Sequence, residues 1–131
     1  MENKICLDTD FLINFLRNKE YEVRFIIDNE DKNLATTYIN LFELYYGAYK
    51  SKAKIQNLEA VSMLSDRLEI LNLSEESAKK AGELLTELES KGNVVDFRDL
   101  LIGAIALIKN YSIKTNNVKH FDKIKGLTLI K

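Results

Sequence analysis

The chain has 131 residues, 46% of them hydrophobic, enough to bury a core of its own; neither a disulfide nor a structural metal is needed for folding, and a bound metal would serve function. Its 19 basic and 20 acidic residues nearly cancel to −1, so bulk charge neither demands nor excludes a nucleic-acid partner. A lone cysteine excludes an internal disulfide, no signal-peptide pattern opens the sequence, and the longest apolar run, 100–108, is too short for a membrane span, so a soluble cytoplasmic protein is expected.

Residues 4–16 begin as the apolar run Lys4-Ile5-Cys6-Leu7, meet Asp8-Thr9-Asp10, and continue with apolar residues at helical spacing, which reads as strand, polar turn and helix. Cys6 is a small core residue of that strand. A second short helix is expected at 21–29 and a second strand, ending in hydroxyls, at 34–37. The stretch 38–49 is helical and aromatic, with Glu43 its only acid. Ile55, Leu58, Val61 and Leu64 continue a helical stripe, and 67–73 alternates like a third strand. Ser74 caps the next helix; Ala78, Ala81, Leu85 and Leu88 form its buried stripe, and Gly92 ends it. Asp96 caps a helix whose segment 100–108 has no polar side chain and is therefore buried on most of its circumference. A fourth strand at 111–115 runs into Asn116 and Asn117, a helical turn follows at 120–124, and a last strand at 127–130. Strands alternating with helices predict an α/β fold: one domain over 1–131, a three-layer α/β/α sandwich around a mostly parallel sheet of about five strands.

In such sheets ligands bind beside the carboxyl ends of the strands. Asp8 follows the first strand, Glu43 lies on the helix after the second, Asp99 opens the apolar helix, and Asn116 and Asn117 follow the fourth strand. Gathered carboxylates repel unless protons or a cation intervene, and a hard divalent ion such as Mg2+ or Mn2+ takes oxygen ligands while keeping waters, one of which can become a nucleophile. Plain structural roles compete for several of these residues. Asp8, Thr9 and Asp10 are all competent N-caps, of which Asp10 is assigned the cap; Asp96 takes the cap before Asp99, and the two asparagines are also ordinary turn residues. Glu43, among apolar neighbours, fits a solvated face poorly, and Gly47 one turn beyond leaves room for a substrate or a helix. His120, the sole histidine, is assigned to packing beside Phe121, and Asp122 to solvent.

Four stretches in order carry a resemblance: Asp8-Thr9-Asp10-Phe11-Leu12-Ile13; Thr37 with Glu43-Leu44-Tyr45-Tyr46-Gly47-Ala48; Asp99-Leu100-Leu101-Ile102-Gly103-Ala104-Ile105-Ala106; and Thr115-Asn116-Asn117-Val118-Lys119-His120-Phe121 with Gly126-Leu127. Together, over Lys4 to Ile130, they resemble the successive motifs of PIN domains, most nearly the VapC-type toxins. The resemblance implies a central first strand and an Mg2+- or Mn2+-dependent endoribonuclease with Asp8, Glu43 and Asp99 as catalytic, metal-binding acids. Many family members place a fourth acid where this chain has Asn117, which would coordinate through its carbonyl or hold a water without adding charge. Thr9 and Thr115 match polar family positions beside the acids and are expected to orient cation-bound water or phosphate, with Asn116 beside them. The implied reaction is in-line attack by cation-activated water on an RNA phosphodiester, with RNA and metal binding coupled. Arg17, Lys19, Lys50, Lys52 and Lys54 are offered collectively for phosphate contact. A small antitoxin over the groove and a homodimer are further implications, with 38–49 the place to look for partner contacts.

Other classes fit less of the chain. Asp8-Thr9-Asp10 after an apolar strand is also similar to haloacid-dehalogenase-type phosphotransferases, whose first Asp is a nucleophile; Leu12 departs from their pattern and little chain remains for their later motifs. A receiver domain would need a phosphoacceptor Asp after the third strand, where Leu71-Asn72-Leu73 has none. The non-enzyme alternative is a catalytically weak or inactive PIN domain that binds RNA or protein without cutting, encouraged only by Asn117.

Overall fold

A computed structural model describes residues 3–131. Its centre is strand β1 (Lys4–Leu7), apolar on both faces: Ile5 and Leu7 enter one helical layer and Cys6 the other, as the two-residue period of a strand requires. With β2 (Asn33–Thr37), β3 (Glu69–Leu71), β4 (Ser112–Lys114) and β5 (Leu129–Ile130) it forms a five-stranded sheet of order β3-β2-β1-β4-β5, parallel throughout. Ile5 stands opposite Leu34 on one side and Ser112 on the other, and Cys6 opposite Ala35 and Ile113.

Helices α1 (Thr9–Leu16), α2 (Glu20–Asp28), α3 (Tyr38–Lys50) and α4 (Lys54–Ser65) cover the face of Ile5 and Leu7, burying Phe11, Leu12, Ile26, Leu44, Val61 and Leu64. Helices α5 (Glu75–Ser90) and α6 (Phe97–Lys109) cover the face of Cys6, Ala35 and Ile113 with Leu84, Leu88, Ile102 and Ile105. The three-layer α/β/α architecture is the one the alternating pattern predicts.

Differences lie at the edges. The third strand is shorter than 67–73 and the last is two residues long, because outer strands of a parallel sheet pair on one side only. The buried row of α5 is Ser77, Ala81, Leu84 and Leu88, with Leu85 partly buried against it; Ala78 is exposed, and Ser77, paired with Ser74 in the capping box, takes the inward place in the first turn. Gly92 does end that helix: at φ +73° it closes a turn in which its N–H donates to Glu89 O and that of Asn93 to Leu88 O. Gly103 lets Ile124 pack close to α6: a Cβ there would stand 2.6 Å from the Ile124 Cδ1 methyl, which would have to shift. After β4 the chain makes a single 3-10 turn, Val118–His120, that drops Phe121 into the core, fully buried. No helix among the described residues is long and apolar enough to cross a membrane.

Candidate active site

The carboxyl ends of β1, β2 and β4 bring Asp8, Thr37 and Thr115 side by side. Asp8 is only 7% exposed although it is an acid, and both of its oxygens are held: Oδ1 accepts from Asn40 Nδ2 at 3.0 Å and Oδ2 from Thr115 Oγ1 at 2.7 Å. Burial pushes its pKa above the ordinary carboxylate value, and nearby Asp10 adds to the rise, against the lowering effect of the Thr115 and Asn40 hydrogen bonds.

Asn40 is sealed from solvent at the start of α3. Its Oδ1 accepts from the Thr37 hydroxyl at 2.7 Å and backbone N–H at 3.2 Å, and the Thr37 hydroxyl accepts from the Asn40 N–H, a reciprocal cap. This frees its amide to point at Asp8 and at Thr9 Oγ1, 2.9 Å away. Thr9 in turn donates to Glu43 Oε1 at 2.6 Å.

Glu43, one turn further along α3, faces Arg98 at the start of α6, with Oε2 3.2 Å from Nη1. Asp99 sits one residue on, its Oδ2 3.3 Å from His120 Nδ1. Burial lifts the Asp99 carboxyl to a pKa of about 6; the negative charges of Asp8, Asp96 and Glu43 add to this and His120 opposes it. Asp96 caps α6 by accepting from the Arg98 N–H at 2.8 Å. These residues, with Asp10, Ile13 and Asn117, line one cleft of about 220 Å3.

The cleft therefore gathers Asp8, Glu43, Asp99 and Asn117; Thr9 donates to Glu43 and Thr115 to Asp8. Asn116 departs from expectation: its side chain turns to α2, donating to Glu22 Oε2 at 3.0 Å, because buried Glu22 needs donors and Asn14 supplies only one. Asp10 is not the helix cap. α1 starts at Thr9 with Asp8 in the N-cap position, its side chain making no cap bond, which leaves Asp10 in the first turn, where Oδ1 accepts from the Phe11 N–H and, at 3.3 Å, the Asn116 N–H. His120 is not a packing residue; Phe121 takes the core and the 3-10 turn leaves His120 half exposed beside Asp99.

Among the described residues no three His, Cys, Asp or Glu side chains converge closely enough to hold an ion as they stand. The donors nevertheless suit a hard cation: all are oxygens, one carboxylate is buried, Glu43 rests against the Arg98 guanidinium, whose charge a metal's would replace, and Asp99 lies beside the His120 ring.

A family model described as PIN domain matches residues 5–127. The chain belongs to the PIN-domain family. Within it, the chain is 41% identical over 100 residues to Ribonuclease VapC2 of Rickettsia felis, covering 76% of this chain and 75% of that protein. It is 32% identical over 126 residues to the tRNA(fMet)-specific endonuclease VapC of Salmonella typhimurium, covering 96% of each. The crystal structure of VapBC2 from Rickettsia felis bound to a promoter DNA fragment matches with a TM-score of 0.90 at 34% identity, covering 96% of both chains. DNA-bound VapBC from Salmonella typhimurium matches with 0.90 at 33%, covering 97% and 96%. The chain is thus a PIN domain of the VapC type, and the phosphotransferase and receiver readings fall away.

Two residues of this PIN domain were not singled out from sequence, Asn40 and Arg98. An asparagine three residues after a threonine that ends a strand is the local signal for the first. For Arg98 the signal was its place between Asp96 and Asp99, the two acids opening one helix.

Proposed function

We propose that this PIN domain is a Mg2+- or Mn2+-dependent endoribonuclease, the toxin of a VapBC-type pair. The observation that carries the reading is Asp8, buried at the end of the central strand and facing Glu43 and Asp99 in one cleft. The relatives' names, ribonuclease and tRNA(fMet)-specific endonuclease, support RNA as the substrate.

A divalent cation bound there would supply charge neutralisation at a phosphodiester and a reactive water. The chain's own residues do the rest. Asp8, Glu43 and Asp99 would hold the cation, and Asn117 would add a neutral oxygen. Asn40 and Thr115 fix both oxygens of Asp8, so the carboxylate is oriented before any ligand arrives, and Thr9 does the same for one oxygen of Glu43.

A small antitoxin would block the cleft; the VapBC complexes among the structural relatives support such a partner. The exposed aromatic row of α3, Tyr38, Phe42, Tyr46 and Tyr49, is assigned to protein contact, including a homodimer. Incubating the purified chain with total RNA in Mg2+, Mn2+ or EDTA tests the reading. Discrete fragments with metal and none in EDTA are expected; equal cleavage in EDTA, or none in either metal, would sink it.

A further inference from the structure

Five acids line the cleft, Asp8, Asp10, Glu43, Asp96 and Asp99, against two basic side chains, Arg98 and His120. A phosphodiester entering it meets repulsion unless a cation faces it. His120 is engaged with Asp99. Arg98 reaches Glu43 through Nη1 at 3.2 Å and lies 3.6 Å from Asp96 through Nε, while its side chain is 55% exposed. An ion pair with one partner so exposed is weak and readily exchanged. The planar guanidinium fork also matches phosphate oxygens better than an ammonium would. Of the cations offered from sequence for phosphate contact, Arg17 lines the adjoining cavity, which shares Ile13 and Glu43 with the cleft, but not the cleft itself, and Lys19, Lys50, Lys52 and Lys54 do not line the cleft either.

We propose that Arg98 is a phosphate-binding residue of the cleft, parked on Glu43 until a divalent cation takes that carboxylate, whereupon its guanidinium is released to the substrate. The inference rests on the metal-dependent reading above. It adds that Arg98 and the cation compete for Glu43, so that loading the cation strengthens the hold on phosphate twice, once through its own charge and once through the arginine it displaces. Asp96, pinned by the Arg98 N–H, keeps the arginine's base in place during the exchange.

Competition predicts effects of opposite sign, which a structural role for Arg98 would not give. Mn2+ binding is measured by calorimetry, and RNA binding by fluorescence anisotropy of a labelled phosphorothioate oligoribonucleotide that resists cleavage, with and without Mn2+. In the wild type Mn2+ should tighten RNA binding about tenfold. Arg98→Ala should bind Mn2+ about two- to fivefold more tightly than the wild type, yet gain no more than about twofold in RNA affinity when Mn2+ is added. Arg98→Lys, which keeps the charge, the helix and the fold but not the fork, should bind Mn2+ like the wild type and RNA about threefold more weakly. Weakened Mn2+ binding in a folded Arg98→Ala, or an intact Mn2+-induced gain in RNA affinity, would overturn the role of Arg98 and leave the metal site standing. Failure of the wild type to bind Mn2+ would overturn the metal-site reading and this proposal together.

Discussion

Asn40 Nδ2 donates to Asp8 Oδ1 at 3.0 Å, in a position closed to solvent. The same side chain caps α3 through Thr37, so one residue joins the start of a helix to the acid at the end of the central strand. Replacing it by alanine leaves Asp8 Oδ1 and the Thr37 donors unpaired and should cost about 3 kcal/mol, read by urea denaturation. Asn40→Asp sets a second carboxylate against Asp8. Each acid raises the other's pKa in the folded state, so that variant should lose stability as pH rises from about 5 to about 8. A cost independent of pH would contradict this placement.

Asp99 gives a pH dependence with a definite sign. Its folded pKa, about 6, lies above its ordinary 3.8, so between these values the native state binds the proton that the unfolded state releases. In EDTA the protein should therefore gain stability as pH falls from about 7 towards about 4, and Asp8, shifted the same way, adds to it. Asp99→Asn should be more stable than the wild type at neutral pH by on the order of 2 kcal/mol, without further gain on acidification from this group. Protons and metal compete for the same oxygens, so apparent Mn2+ affinity should fall below about pH 6. Thermal melts and calorimetry across that range check both signs.

Glu22 behaves oppositely. Burial works against its charge, but hydrogen bonds from Asn14 and Asn116 and the charge of Lys114 hold its pKa below the ordinary value. Its contribution is present above the ordinary carboxylate range and is lost as pH falls through its lowered folded value. Glu22→Gln should cost about 1–2 kcal/mol at neutral pH and progressively less in acid. Because Asn116 is one of its donors, the variant should also speed amide exchange at Asn116 and Asn117, leaving α5 unchanged.

The sheet and its layers were legible because hydrophobic period and strand–helix alternation are local properties of the chain. Asp8, Glu43 and Asp99 were legible for a related reason: each is an acid at a point where the pattern changes or turns apolar. Asn40 was not, because its reach to Asp8 depends on parallel pairing of β2 with β1, a contact between residues 32 apart. His120 and Phe121 were both placed in packing; a 3-10 turn of three residues sends one to the cleft and the other to the core, and nothing in composition fixes that rotation. Asn116 was drawn away by Glu22, a buried acid on another helix whose unmet acceptors outweigh an ordinary turn.

The central claim is that Asp8 anchors a metal-dependent ribonuclease site, and Asp8→Asn tests it with little disturbance to the fold. Asparagine keeps the shape: its Oδ1 can accept from Asn40, and its amide can donate to Thr115 Oγ1 once that hydroxyl turns. Cleavage of total RNA by the two proteins in Mg2+ should differ by about a thousandfold or more, while their melting temperatures in EDTA show the variant at least as stable as the wild type. Metal-dependent cleavage that survives Asp8→Asn undiminished would contradict the assignment.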